Sequence, residues 1–190
     1  MSIAMSSAGD ALHNSRTPRV MQSIPSLPVS AAMPMLGNLS HMLTKAQVFV
    51  EIKKCDPGAL TNYRTAPDML PFTRQILIAC DVVKNGVARI SGVQAPKFDD
   101  QETRLAGLQL RVAKTLDFLK TIPAARLDGM EDKEITFPVG LEATRTMKEN
   151  AYLKHWLLPN MYFHVTMAYA ILRHNGVELG KSDYLFGAAT

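Results

Sequence analysis

Apolar residues recur at three- and four-residue spacing in four long stretches of this chain, and that repetition narrows the fold more than any other feature. A period near 3.6 gives a helix one apolar stripe, and several such stripes are satisfied by packing side by side. The clearest stretch carries Leu105, Leu108, Val112, Leu116 and Leu119 and stops before Pro123. Asp99 with Glu102 three residues later reads as its capping-box start. A first helix is expected from about Ser30 to Lys54, with Leu36, Leu39, Leu43 and Ala46 on one face. Ser30 is its expected cap and Pro34 falls in its opening turn, where a missing N–H costs little. The turn-rich segment "CDPGALTNYRTAPDMLP" then reads as a loop. Pro71 suits the first position of a second helix ending near Ser91 and Gly92.

The strand-like part is short. "EITF", a "PVG" turn and "LEATRT" read as a hairpin between the third and fourth helices. Thr146 and Glu149 make a second capping-box pattern, and the fourth helix runs to about Asn175, with Gly176 placed to end it in a left-handed cap. Pro159 interrupts this helix at a cost of about 3 kcal/mol, so the helix either kinks or restarts there. Asn160 is then placed to satisfy backbone groups that the proline frees. Four amphipathic helices with one hairpin give an all-α bundle.

Composition sets the outer limits. A chain of 190 residues that is 47% hydrophobic can bury one real core. Its 21 basic and 17 acidic residues leave a mild +4, with no basic run, so nucleic acid is not an expected partner. No apolar segment approaches the roughly 20 residues needed to span a bilayer, so no membrane role is expected. Residues 1–24 read as a disordered extension ahead of a domain at 25–187. Their serines, Arg16, Arg19 and single acid, Asp10, keep a mitochondrial presequence as the alternative to a cytoplasmic protein. Cys55 and Cys80 have no zinc-like spacing, and Cys80 in "ILIACDVV" reads as a small buried hydrophobe in a reducing compartment.

Within "NMYFHVTMAYAILRHNG" the polar groups raise the question of a site. His155 and His164 are nine residues apart and fall on opposite sides of a straight helix, at about 100° per residue. His164 and His174 diverge by roughly 80° and lie about 15 Å apart along the axis. These three cannot converge on one metal without a severe kink. Asn160 and His164 do share a face, which Met167 and Ile171 continue, so His164 points into the bundle. His174 reads as a cap of the helix C-terminus. Asp81, inside an apolar run, needs a partner if buried. His164 is one candidate, and Arg74 or Arg89 are others. Arg64 and Asp68 in "NYRTAPDM" read as an ion pair pinning the long loop, and with Asn160 they are candidate ligand-pocket residues. No GxGxxG, GxxxxGK[ST] or GxSxG occurs.

Four segments, "APDMLPFTRQILIACDVVKNGVARISG", "LDFLKTIP", "KEITFPVG" and "LPNMYFHVTMAYAILRHNGVELGKSDYL", resemble a domain family of unknown function in the DinB/YfiT-like superfamily. The resemblance spans roughly residues 26 to 186. It implies a DinB-like four-helix bundle, commonly a homodimer. In many superfamily members it further implies a divalent metal, nickel or zinc, held by three histidines, and in some a thiol-dependent transferase or isomerase activity. Laid on this chain, the pattern His-x-x-x-His-x-Gly puts its second histidine at His164 and its first at Asn160. The histidine of the second helix falls near Cys80 or Asp81. One of three histidines is therefore present, and the implied metal set becomes Asp81, Asn160 and His164.

Two readings follow. One is an enzyme, a thiol-dependent transferase or hydrolase, with a remodelled centre. A metal there would lower the pKa of a bound thiol or water; without one, His164 would be a general base oriented by Asp81. The other is a dimeric module that binds a small ligand or thiol or serves assembly. Loss of two of three ligands favours the second. A shared pocket for Asp81, Asn160 and His164 would favour the first.

Overall fold

The computed structural model describes residues 27–127, 132–140 and 142–187. The expected extension at 1–24 lies outside them. Four long helices form the frame: α1 (Leu27–Lys53), α3 (Phe72–Ser91), α4 (Leu105–Lys120) and α6 (Leu158–His174). Shorter elements are α2 (Pro57–Thr61), β1 (Glu134–Val139), β2 (Ala143–Lys148), α5 (Glu149–Tyr152) and α7 (Lys181–Phe186). Around the bundle α1 packs on α4, α4 on α3, α3 on α6 and α6 back on α1, which leaves α1 and α3 on a diagonal. The expected faces form the core: Leu36, Leu39, Leu43 and Ala46 of α1, and Leu105, Leu108, Val112 and Leu119 of α4, are all buried. This is the mostly helical fold with one hairpin that the periodicity predicts.

Several boundaries differ from expectation. Helix α1 begins at Leu27, so Ser30 is not its cap and Pro34 lies in its interior. Pro28, second in the helix, is the proline that fits the opening turn. Pro71 caps α3 from outside, and Gly92, in the left-handed region at φ 70°, ends it. The Asp99–Glu102 capping box does not form. Arg104, the residue before α4, is itself extended, and the Glu102 carboxylate is turned to Arg111 instead. Thr146 also does not cap: it remains in β2, its hydroxyl 2.8 Å from that of Thr136, and Lys148 precedes α5 instead. The loop after α1 contains α2, capped where Asp56 accepts a 2.9 Å bond from the Gly58 N–H.

Strands β1 and β2 pair antiparallel, from Glu134 opposite Lys148 to Val139 opposite Ala143. Ile135 and Phe137 of β1 face inward, and Phe137 packs 4.8 Å from the rings of both Tyr152 and Trp156. The hairpin thus covers the start of the last helical run. That run does not break at Pro159. A π-helical turn, Leu153–Leu157, widens the backbone just before α6, and Pro159 becomes the second residue of α6, where its lost N–H matters least. The Asn160 amide donates a 2.8 Å bond to the Trp156 carbonyl inside this turn. Gly86 of α3 sits against it: a Cβ there would lie 2.3 Å from Leu157 Cδ1, so glycine sets how closely α3 and this turn approach. Gly176, at φ 91°, follows α6 in the left-handed region.

Candidate functional site

Helix α3 presents polar side chains to two different neighbours. Toward α4, Asp81 accepts 2.9 Å bonds from both Arg111 and Lys84. Arg111 is 1% exposed and also reaches Asp100 at 2.9 Å, Glu102 at 3.2 Å and the Asp99 carbonyl at 3.4 Å. Phe98 covers both cations, 4.4 Å from Lys84 Nζ and 4.7 Å from the Arg111 guanidinium carbon. Burial alone would lower the Arg111 pKa, but Asp81, Asp100 and Glu102 more than offset it and raise it. Arg74 pairs with Asp100, so three cations meet three carboxylates. The cluster straps the segment between α3 and α4 onto the bundle. Asp81 is therefore paired with an arginine, though Arg111 rather than Arg74 or Arg89. Arg89 instead donates to the Tyr152 hydroxyl at 3.3 Å.

Toward α6 the chemistry is neutral. His164 is 8% exposed, and its Nδ1 lies 2.7 Å from Oε1 of Gln75. Gln75 Nε2 donates to the Leu70 carbonyl at 3.0 Å, which fixes the amide with its oxygen toward the imidazole. Nδ1 is then the protonated nitrogen of the ring. Nε2 has no partner among the described residues, yet it is not among the buried unpaired atoms, so its lone pair meets solvent. The Phe163 ring stands edge-on to the imidazole, 5.2 Å away. Burial pushes the His164 pKa below the usual imidazole range, and no charged group contributes to that shift. Asp81 does not orient His164; Gln75 does. This also moves the α3 position facing His164 from the expected Cys80 or Asp81 to Gln75. Cys80 lies fully buried, where desolvation pushes its thiol up to about 12 despite a bond to Thr115.

The remaining sequence candidates fall elsewhere. Arg64 and Asp68 are both exposed and do not pair with each other. Arg64 donates instead to the Met69 carbonyl at 2.6 Å, bracing its own loop. The His174 ring packs 5.4 Å from that of Tyr63. A surface groove of about 380 Å³ runs between the end of α1 and Gly176–Glu178, lined by Val48, Phe49, Ile52 and Val177. None of the sequence candidates lines it.

The donor chemistry can be tested against the three-histidine centre implied by the resemblance. Gln75 uses both ends of its amide, Arg111 and Lys84 hold Asp81, and Asn160 offers only a neutral amide oxygen, a weak ligand for zinc or nickel. Among the described residues no group of three or more His, Cys, Asp or Glu is placed to hold a metal ion. The residues do not fit that centre. Sequence reasoning missed Gln75 and Arg111. Both interrupt apolar stripes, Gln75 at a four-residue step from Ala79 and Val83, Arg111 between Leu108 and Val112. That interruption is the signal that marks them.

Comparison with known proteins places this geometry in a family. Residues 26–185 match the family model described as Domain of unknown function (DUF1993). The chain is 41% identical to a DinB family member protein from Shewanella denitrificans, known from a crystal structure at 1.83 Å resolution. That match has a TM-score of 0.78 and covers 85% of this chain and 91% of the other. No curated protein matches. The chain therefore belongs to the DUF1993 family, a domain family of unknown function, and its fold is that of a DinB-like helical protein.

Proposed function

We propose that this chain is a dimeric small-ligand-binding module in which the ligand is taken at His164 and the three-histidine metal site implied by the superfamily resemblance is degenerate. The observation carrying this reading is a buried imidazole with one nitrogen occupied by Gln75 and the other open to solvent. The unpaired nitrogen is the one atom of this pair that a ligand can engage in place of water. Dimer formation is supported by the resemblance and by large apolar side chains left in water, among them Ile52 at 72% exposure and Phe186 at 64%. No helix among the described residues is long and apolar enough to cross a membrane. A cytoplasmic setting accords with the free cysteines, Cys55 and Cys80.

A second reading, a metal-dependent transferase or hydrolase, has one observation in its favour. A metal-bound histidine commonly donates its other ring N–H to a carbonyl, as Nδ1 does here to Gln75. Metal analysis of the purified full chain, with denaturing extraction of bound small molecules and light scattering for mass, separates the two. The binding reading expects a dimer that retains a small organic molecule, released in His164→Ala, and metal well below one ion per chain. One ion per chain, lost in His164→Ala, would overturn it in favour of the enzyme.

A further inference from the structure

We infer that Gln75 acts as a tautomer lock, holding the His164 proton on Nδ1, so that Nε2 is a permanent acceptor for a neutral hydroxyl or thiol donor of the ligand. This rests on the binding reading above and gives that ligand a chemical class.

The lock is a relay of two hydrogen bonds. The Leu70 carbonyl accepts from Gln75 Nε2 at 3.0 Å, and Gln75 Oε1 accepts from His164 Nδ1 at 2.7 Å. Turning the amide over would set its oxygen against the Leu70 carbonyl, two acceptors face to face, and would force the imidazole proton onto Nε2. One bond would replace two, so the observed arrangement is held at both ends. A neutral imidazole in solution prefers its proton on Nε2; here the protein imposes the opposite.

What meets Nε2 follows from its surroundings. An anion would face a lone pair, and no cation shifts the ring's pKa. A metal ion would find one imidazole nitrogen and no carboxylate beside it, because Asp81 is held by Arg111 and Lys84 and no group of three or more His, Cys, Asp or Glu converges among the described residues. Burial alone moves the ring's pKa, which agrees with a site that no charged group faces. Apolar groups stand beside the imidazole: the Phe163 ring 5.2 Å away and, at the far end of the relay, Leu70, which is 42% exposed. A neutral O–H or S–H on an apolar body satisfies both features. No covalent step is required.

Nitrogen NMR of the ¹⁵N-histidine-labelled full chain reads the ring directly. The expected spectrum has His164 protonated at Nδ1 and bare at Nε2. In Gln75→Leu the ring should pass to a majority of the Nε2–H form. Gln75→Glu, which retains the acceptor, should keep the Nδ1 proton and shows that the change comes from the lost bond. A parent ring protonated at Nε2, or an unchanged ring in Gln75→Leu, overturns the lock alone. Titration with 1-butanol, 1-butanethiol, butyrate and zinc then tests the class. A saturable shift of Nε2 with the alcohol or the thiol, and not with butyrate or zinc, is expected, and the stronger response identifies the donor. Stoichiometric zinc on Nε2 overturns the ligand class and favours the enzyme reading. A correct tautomer that answers none of the probes overturns the ligand class and the site reading together.

Discussion

Two polar clusters hang from the same helix, six residues apart, and they end in opposite conditions. At Asp81, α3 meets α4 through a cluster in which three cations answer three carboxylates around a guanidinium buried to 1% exposure. At Gln75, α3 meets α6 through one neutral pair whose imidazole keeps a nitrogen free. The charged cluster is conspicuous, but each of its carboxylates is held by at least one of its own cations, and the atoms it leaves unpaired, Glu102 Oε2 and Arg111 Nε, are sealed from solvent. The quiet pair retains an unused valence. Buried polar groups sealed against one another specify a fold, whereas one held in place with an atom not fully sealed from solvent is where a ligand enters.

The largest expected effect breaks the first cluster. Arg111→Ala leaves Asp81, Asp100 and Glu102 without their central cation and should cost about 3–5 kcal/mol of stability, measured by urea unfolding. A loss below about 1 kcal/mol would show that the charged strap is ornamental. Next comes the frame the two clusters share. Gly86→Ala pushes a methyl into Leu157 and should cost about 1–3 kcal/mol. Because it shifts α6 against α3, it should also disturb the His164 ring signals while leaving those of Arg111 nearly in place.

Double-mutant cycles put the comparison on one scale. Gln75 and His164 should couple by about 0.5–3 kcal/mol, while Asp81 and His164 should be additive to within about 0.5 kcal/mol. Coupling of the second pair as strong as the first would restore Asp81 as the partner of His164.

The smallest effect lies at a third site and shows what an ion pair near the surface contributes. The Asp183 carboxylate accepts from the Gly180 N–H at 2.7 Å, from His41 at 2.9 Å and from Lys45 at 3.0 Å, tying α7 to α1. The Gly180 N–H lowers its pKa most; partial burial opposes this, and His41 and Lys45 add to the lowering. A carboxylate with a depressed folded-state pKa stabilises above its unfolded value and loses that contribution as pH falls through the folded one. Asp183→Asn should therefore lower the unfolding temperature near neutral pH. Its difference from the parent should shrink as pH falls below about 4, and a pH-independent difference would mean that packing, not charge, is lost.

Much of this was legible in the chain. The stripes of α1 and α4 name their own buried residues, Gly176 ends α6 in the left-handed turn expected of it, and the hairpin lies in the expected segment, although Pro138 and Val139 belong to β1 rather than to its turn. Both capping boxes failed for one reason. Such a pattern says only that two side chains are able to reach a helix start, and here tertiary partners claim them: Arg111 takes Glu102, and Thr136 across the hairpin takes Thr146. Pro159 predicts disturbed backbone, and the π turn with Asn160 on the Trp156 carbonyl is how it is absorbed.

Spacing along one helix is a local property, set by rise and turn, so the sequence by itself determined four amphipathic helices, their buried faces and the inward aim of His164. Which side chain on a second helix meets His164 depends on crossing angle and axial register, and those are set by packing that involves residues such as Gly86 and Leu157 far along the chain. Only the tertiary structure could choose Gln75 over Asp81, and with it a neutral acceptor over a charged centre.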